Sequence, residues 1–421
     1  MLQEITLFKT KKEYFLSFFA LLFIFTYAIL IEYNNYTQLV RFDSHILTGT
    51  LLKQYEKTKL TKSGKVKKYQ VLKLKNNKGF SFYTSAKVNQ HLTIGQKIKL
   101  EVWAGKISFY KYMTSFYASS KILYIYKSST LKEKLNTLIA KQHKNADITY
   151  LYQALYTAKA LPSQLQEKFS ILGISHLLAI SGFHLGVLAT LLFFLFKFPY
   201  KFLQNRYFPY RSYKRDSFVF IALILFLYLM FLGSPPSLLR SFSMMLIAFF
   251  LYDRGFKILS METLFLTVLI LIAIFPRLFF TLGFWLSVSG VFYIFLFLIH
   301  FKHFSKLWQF LLIPFWVYLM MLPYSLVIFS NFSIYHPLSI LWSSLFTLFY
   351  PLSILMHILT YGDILDQLLV QLLALHSHKH IIIIPFYSLI IEIILSLLSI
   401  RYRKVLYLLL LYVLSTFIHY L

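Results

Sequence analysis

Residues 174–196 read Ile174-Ser-His-Leu-Leu-Ala-Ile-Ser-Gly-Phe-His-Leu-Gly-Val-Leu-Ala-Thr-Leu-Leu-Phe-Phe-Leu-Phe196, a run without Asp, Glu, Lys or Arg. A helix of about 20 apolar residues spans the hydrocarbon of a bilayer. Comparable runs recur at Tyr14–Ile31, Ser217–Leu232, Leu259–Phe275, Thr281–Ile299 and Leu307–Phe329. The chain as a whole agrees, since 58% of its 421 residues are hydrophobic and only 14% are charged, where a soluble domain carries about 25% charge. The fold class expected is a polytopic α-helical membrane protein of about 10–11 spans.

Charge gives the expected orientation. Lys+Arg number 43 against 15 Asp+Glu. Clusters at Lys197–Arg215, at Arg254 and Lys257, and at Lys302 and Lys306 alternate with the neutral turns Gly233–Pro236 and Asn331–Pro337. Short loops rich in Lys and Arg stay cytoplasmic, so the first cluster is expected inside. Lys9, Lys11 and Lys12 precede an apolar run too long for a signal peptide and without a small-residue cleavage site. Residues 1–40 are therefore read as a cytoplasmic tail and an uncleaved anchor in the cell (inner) membrane. Arg401, Arg403 and Lys404 are cytoplasmic only if Ile364–His376 crosses or re-enters the membrane. Cysteine is absent, which excludes disulfides and thiolate metal sites.

Residues 41–130 differ in kind, with 18 Lys+Arg against 3 Asp+Glu. Alternating, β-rich runs at His45–Leu52, Val66–Leu74, Phe80–Thr84, Lys97–Trp103 and Phe116–Tyr126 are separated by turn signals. Five short strands predict a small extracytoplasmic β-barrel of OB-like type. Its charge and aromatics suit single-stranded nucleic acid, with Lys67, Lys68, Lys73, Lys75, Tyr83 and Trp103 as candidate contacts. Tyr69, Phe80, Phe82, Phe109 and Tyr110 are further stacking candidates, and the competing role for each aromatic is the barrel core. Residues 131–172 read as amphipathic linker helices lying on the membrane surface, and 173–421 as the transmembrane domain.

The densest polar constellation within the spans is His176, Ser181 and His184. On a continuous helix these share one side, while Gly182 and Gly186 lie on another that admits a close helix neighbour. Ser237 and Arg240 follow Pro235-Pro236, and Ser287 sits beside Gly283 and Gly290. Polar groups inside a span face water or a partner, so His176, Ser181, His184, Ser237, Arg240 and Ser287 are candidate channel-lining residues, with packing as the competing role. His376-Ser-His378-Lys-His380 lacks a carboxylate and reads as interfacial; no metal and no cofactor is expected. Phosphate-loop, nucleophile-elbow and catalytic-triad patterns are absent, so no enzyme is expected. Glu392 is the exception to a set of spans otherwise poor in carboxylates.

One stretch is longer and more specific than these. Ala160-Leu-Pro162 leads through Gly173-Ile-Ser-His176-Leu-Leu-Ala179-Ile-Ser181-Gly182-Phe-His184, and is followed in order by Gly233-x-x-Pro236-Ser237-x-x-Arg240, Leu251–Arg254, Pro276 and Gly283-Phe-Trp-Leu-Ser287. This resembles the ComEC competence family, from Leu151 to the C-terminus. The resemblance implies an inner-membrane channel that admits one strand of transforming DNA during natural competence. It also implies an extracytoplasmic DNA receptor, cytoplasmic helicase or single-strand-binding proteins, membrane lipids and a second copy of the chain as partners. Many family members carry a C-terminal metallo-β-lactamase-like domain, and this chain is expected to be a short form without it. Two other classes remain: a small-solute transporter, which leaves the basic domain unexplained, and an envelope glycan ligase.

Overall fold

The computed structural model describes residues 10–60, 66–86, 92, 95–105, 107–126, 131–178, 180–256, 259–375 and 380–420, with backbone alone at 56, 59, 60, 66, 67, 236 and 420. The chain opens with α1 (Lys11–Val40), capped by Thr10, whose side chain accepts from Glu13 N–H. A β region follows: β1 (His45–Leu60), β2 (Val66–Asn76), β3 (Ser81–Ala86), β4 (Lys97–Trp103), α2 (Phe109–Thr114), β5 (Phe116–Tyr117) and β6 (Ser119–Ile125).

These strands form one six-stranded sheet in the order β5-β3-β2-β1-β4-β6. β3 pairs with β5 in parallel, while β4 pairs with β6 antiparallel. Only Ala118 separates β5 from β6, so the two ends of the sheet meet on one stretch of chain and the sheet curls. Ala118 N–H donates to Tyr83 O at 2.9 Å, and the hydroxyls of Thr84 and Ser120 bond at 2.7 Å. Alternation puts Leu51, Leu72, Leu74, Phe80, Phe82, Ile98, Leu100 and Val102 inside, where Phe116 stacks on Phe82. Phe80 and Phe82, candidate stacking platforms by sequence, are thus core residues. β1 runs eight residues beyond the expected Leu52, because a bulge between Leu51 and Lys53 turns it onto a long ribbon with β2.

The helices continue with α3 (Leu131–Gln142), α4 (Ala146–Thr157), α5 (Ser163–Ile171), α6 (Ser175–Leu178), α7 (Gly182–Tyr207), α8 (Tyr213–Leu232), α9 (Pro236–Asp253), α10 (Met261–Ile274), α11 (Leu282–His300), α12 (Lys306–Phe329) and α13 (Ser339–Ile358). The chain ends on α14 (Asp366–Leu373), α15 (Phe386–Ser399) and α16 (Arg403–Tyr420), and a two-residue ladder joins β7 (Asn331–Phe332) to β8 (His380–Ile381).

Among the described residues six helices are long and apolar enough to cross a membrane: α1, α7, α8, α11, α12 and α13 with its preceding turn. α10 and α15 are apolar but shorter. The count stands below the ten to eleven expected: Gly233, at φ +80°, closes α8, which is itself one of the six, while α10 and α15, apolar runs in the sequence, have 14 residues each. α14 has eight residues, about 12 Å of helix, too short to cross. Leu151, Leu155, Leu165 and Phe169 bury against Phe346, Tyr350 and Leu369 of α13 and α14.

Candidate functional site: a broken helix beside a basic sheet

The polar constellation lies on a break in the helix and not on a continuous one. α6 stops at Leu178, and α7 starts at Gly182. Ser181 between them is extended (φ −127°, ψ 179°), and its side chain accepts from Phe183 N–H. His184, three residues on, accepts from Ser181 N–H through Nδ1 at 3.3 Å. Ser181 and His184 thus form a capping box with histidine in the place of the usual Glu or Gln. The helical-wheel angles of the sequence reading do not apply across this break. Ala179, which belongs to the same motif, lies outside the described residues.

Two helices hold the break. Ser237, on the first turn of α9, donates to Ile180 O at 2.7 Å. One turn on, Ser241 lies so close to Gly182 that an added Cβ would stand 2.9 Å from Ser241 Cβ. Gly186, its expected partner in close packing, has nothing within 4 Å of a built Cβ, so one glycine of the pair carries the contact. On the other side His184 is fully buried between the rings of Phe346 and Tyr350, each with a centroid 4.9 Å away. Its Nε2 has no hydrogen-bond partner among the described residues. His176 Nε2 meets Ser343 Oγ at 3.0 Å.

Arg240 and Ser287 belong to a separate contact. Arg240 is 7% exposed and its Nε is unpartnered among the described residues. A Cβ on Gly283 of α11 would lie 3.7 Å from its Nη1, and Ser287 is half-buried one turn beyond Gly283. The sequence candidates therefore divide in two: His176, Ser181, His184 and Ser237 around the break, and Arg240 and Ser287 between α9 and α11. A cleft of about 490 Å³ opens beside the break, lined by Lys159, Gln166, Ser175, Ile180, Pro235 and Ser237 among others. Glu392 is fully buried in α15, its Oε1 accepting from Tyr293 Oη at 3.4 Å.

The sheet adds a second surface. Register aligns Lys53, Lys73, Tyr83 and Tyr117 across β1, β2, β3 and β5. Lys73 Nζ sits 5.3 Å from the Tyr83 ring centroid, and Lys53 and Lys57 flank Tyr55. Lysines directly opposite each other repel, so the Lys53–Lys73 pairing is unfavourable on its own. Lys68 is exposed farther along the ribbon; the side chain of Lys67 lies outside the described residues. Trp103 is 43% exposed on β4, opposite Ser119, across the sheet from the row. Lys53 and Tyr117 were missed by sequence reasoning, because only pairing register shows that they continue the line of Lys73 and Tyr83.

Lys75, two residues from Lys73 on the same face, reaches the helices instead. Its Nζ donates to Ser234 O at 3.4 Å, and Lys132 donates to Leu232 O at 2.9 Å. Both ammonium groups thus sit on the carbonyl end of α8, where the helix dipole favours cations. Burial pulls both lysines below the ordinary ammonium range, and neighbouring Arg277 adds to the effect at Lys75. Lys75 thus ties the face that carries the row to Ser234, three residues before Ser237. His376–Lys379 lie outside the described residues, and no group of three or more metal-ligating side chains occurs among the described ones.

A family model described as Competence protein matches residues 157–421. No curated protein and no solved structure matches the chain. The family match takes in the capped break, the turn before α9, and α9 and α13 on either side of the break, and it covers well over half of the sequence. The chain belongs to the Competence protein family.

Proposed function

We propose that this chain is the inner-membrane passage for one strand of transforming DNA, acting in uptake during competence. Its family membership supports a role in that process, and one observation carries the finer reading: the row Lys53–Lys73–Tyr83–Tyr117 that leads to the Lys75–Ser234 contact. Alternating cations and rings neutralise phosphates and stack bases without regard to sequence. We read the curled sheet as an OB-like barrel facing the outside, since β3 pairs in parallel with β5 and the chain from β5 to β6 joins both ends of the sheet. On this reading residues 1–40, 41–130, 131–172 and 173–421 act as anchor, DNA-binding domain, linker and channel. The strand passes from the row to the capped break, with His176, Ser181, His184, Ser237, Arg240 and Ser287 along its way.

The proposed role is transport without bond-making. Each negative charge entering a cell works against about 2.3 kcal/mol per 100 mV of membrane potential. Direction must come from elsewhere, and a cytoplasmic helicase or single-strand-binding proteins supply it. An extracytoplasmic DNA receptor delivers the strand.

A strain deleted for this chain tests the reading. DNA should still reach the cell surface, and none should enter the cytoplasm. Unchanged entry of naked chromosomal DNA overturns the assignment and returns the transporter and ligase readings.

A further inference from the structure

A second polar cluster lies away from the break, where α3 and α4 meet α13 and α14. His143 Nδ1 faces both Asp366 carboxylate oxygens at 2.9 and 3.0 Å. His143 Nε2 meets His357 Nε2 at 2.9 Å. His357 Nδ1 lies 2.7 Å from the carbonyl oxygen of Ser353. Tyr156 donates to Ser353 Oγ at 2.8 Å, and Ser353 Oγ donates to Tyr350 O at 2.8 Å. The ring of Tyr152 stacks on His143 at 4.6 Å. Gln142 braces the group, donating to His357 O at 3.2 Å and accepting from Gly362 N–H at 3.0 Å. The His143 side chain is fully buried, and that of Asp366 is 18% exposed.

These contacts fix a proton count. Tyr156 Oη also stands 3.2 Å from His357 Nδ1, but its one hydrogen goes to the nearer Ser353 Oγ, and Ser353 O at 2.7 Å only accepts, so His357 Nδ1 carries a hydrogen. The contact between Asp366 and His143 Nδ1 needs one more. Two bare Nε2 lone pairs cannot face each other at 2.9 Å, so a third hydrogen lies between the imidazoles. Three protons on Asp366, His143 and His357 give a net charge of zero wherever the mobile ones sit. Loss of one leaves a net negative charge and two lone pairs in opposition, at a site where an unmade contact is costly.

We propose that Asp366, His143 and His357 form a one-proton latch, which pins the turn between α3 and α4 to α13 and α14 and opens when that proton is lost. The titratable groups facing it are Tyr152 and Tyr156 of α4, with Tyr228 of α8 beyond them; no lysine or arginine pairs with it among the described residues. The sign follows from the count. The closed form binds the extra proton, so it is favoured at lower pH and weakens as pH rises. Asp366 gives the proton its route to water.

The test is amide hydrogen exchange on the full-length protein in detergent, corrected for intrinsic rates, from about pH 6 to about pH 9. Protection across residues 141–157 should fall about tenfold or more in the wild type. In His357→Gln an amide N–H replaces the shared proton, so protection should stay level. In Asp366→Asn the cation loses its counter-charge, and the fall should begin about one pH unit lower or more. Wild-type protection that is flat with pH overturns the latch, as does a His357→Gln profile that matches the wild type. Should His357→Gln fail to fold, nitrogen-15 spectra of the histidine-labelled wild type decide. An imidazole N–H···N coupling near pH 6 that vanishes near pH 9 supports the latch, and its absence near pH 6 overturns it.

Discussion

Gly182 has no space for a methyl group, and Gly186 has an abundance. Gly182→Ala drives a Cβ into Ser241 of α9, so it should lower stability by about 1–3 kcal/mol. Gly186→Ala meets nothing and should be neutral or stabilise by up to about 1 kcal/mol. Melting temperatures in detergent compare them, and Ser241→Gly should restore the Gly182→Ala variant. Both residues looked alike in sequence, because G-x-x-x-G spacing cannot say which partner faces which glycine. The Ser181–His184 pair was more legible. A Ser followed three residues later by a polar side chain is a cap signature, and it marks the break that a wheel drawn over 174–196 overlooked. His143 and Asp366 stand 223 residues apart, and no local pattern foretells such a meeting.

At the scale of elements, the strands were readable because alternation writes itself into the core, and β4 occupies the expected Lys97–Trp103. How the sheet meets the helices was not. Arg277, in the turn after α10, pairs with Glu32 of α1 through Nε at 2.8 Å and Nη2 at 2.6 Å. Its guanidinium lies 4.6 Å from the ring of Tyr112 in the sheet's core, and burial holds that phenol up at about 12. Three segments distant in sequence thus share one ion pair. The pair is largely buried, with 18% and 17% of its side chains exposed. Glu32→Gln should therefore cost about 2 kcal/mol, more than a surface bridge. Lys75 stands on the unfavourable side of the same charge. Its folded form holds a proton less readily than the unfolded chain, because of burial first and Arg277 second. Stability should then rise with pH toward the ordinary lysine range near about 10. Lys75→Met should melt higher than the wild type near neutrality, with an advantage that shrinks as pH approaches that range.

At the scale of the whole molecule, the proposed function assigns capture and passage to different surfaces. The lysines of the ribbon lie on the sheet, whereas Arg240 is buried between α9 and α11. Binding to single strands depends on salt through the phosphates neutralised, with a slope of about 0.7 for each. Replacing Lys53, Lys57, Lys68 and Lys73 together by Gln removes four such charges and should reduce the salt slope of single-stranded DNA binding by about 3. Uptake should fall with it, since the strand is no longer gathered. Arg240→Gln touches none of that surface. It should leave binding and its salt slope at wild-type values and still block entry, because on the proposed reading the guanidinium of Arg240, buried and with Nε unpartnered among the described residues, lies on the path of the strand and offers its fork to phosphate there. Fluorescence titration of the purified full-length variants, set beside transformation counts, separates the two effects. A lysine variant with an unaltered slope would move the DNA surface off this row. An Arg240→Gln strain that transforms normally would take the passage away from the contact between α9 and α11.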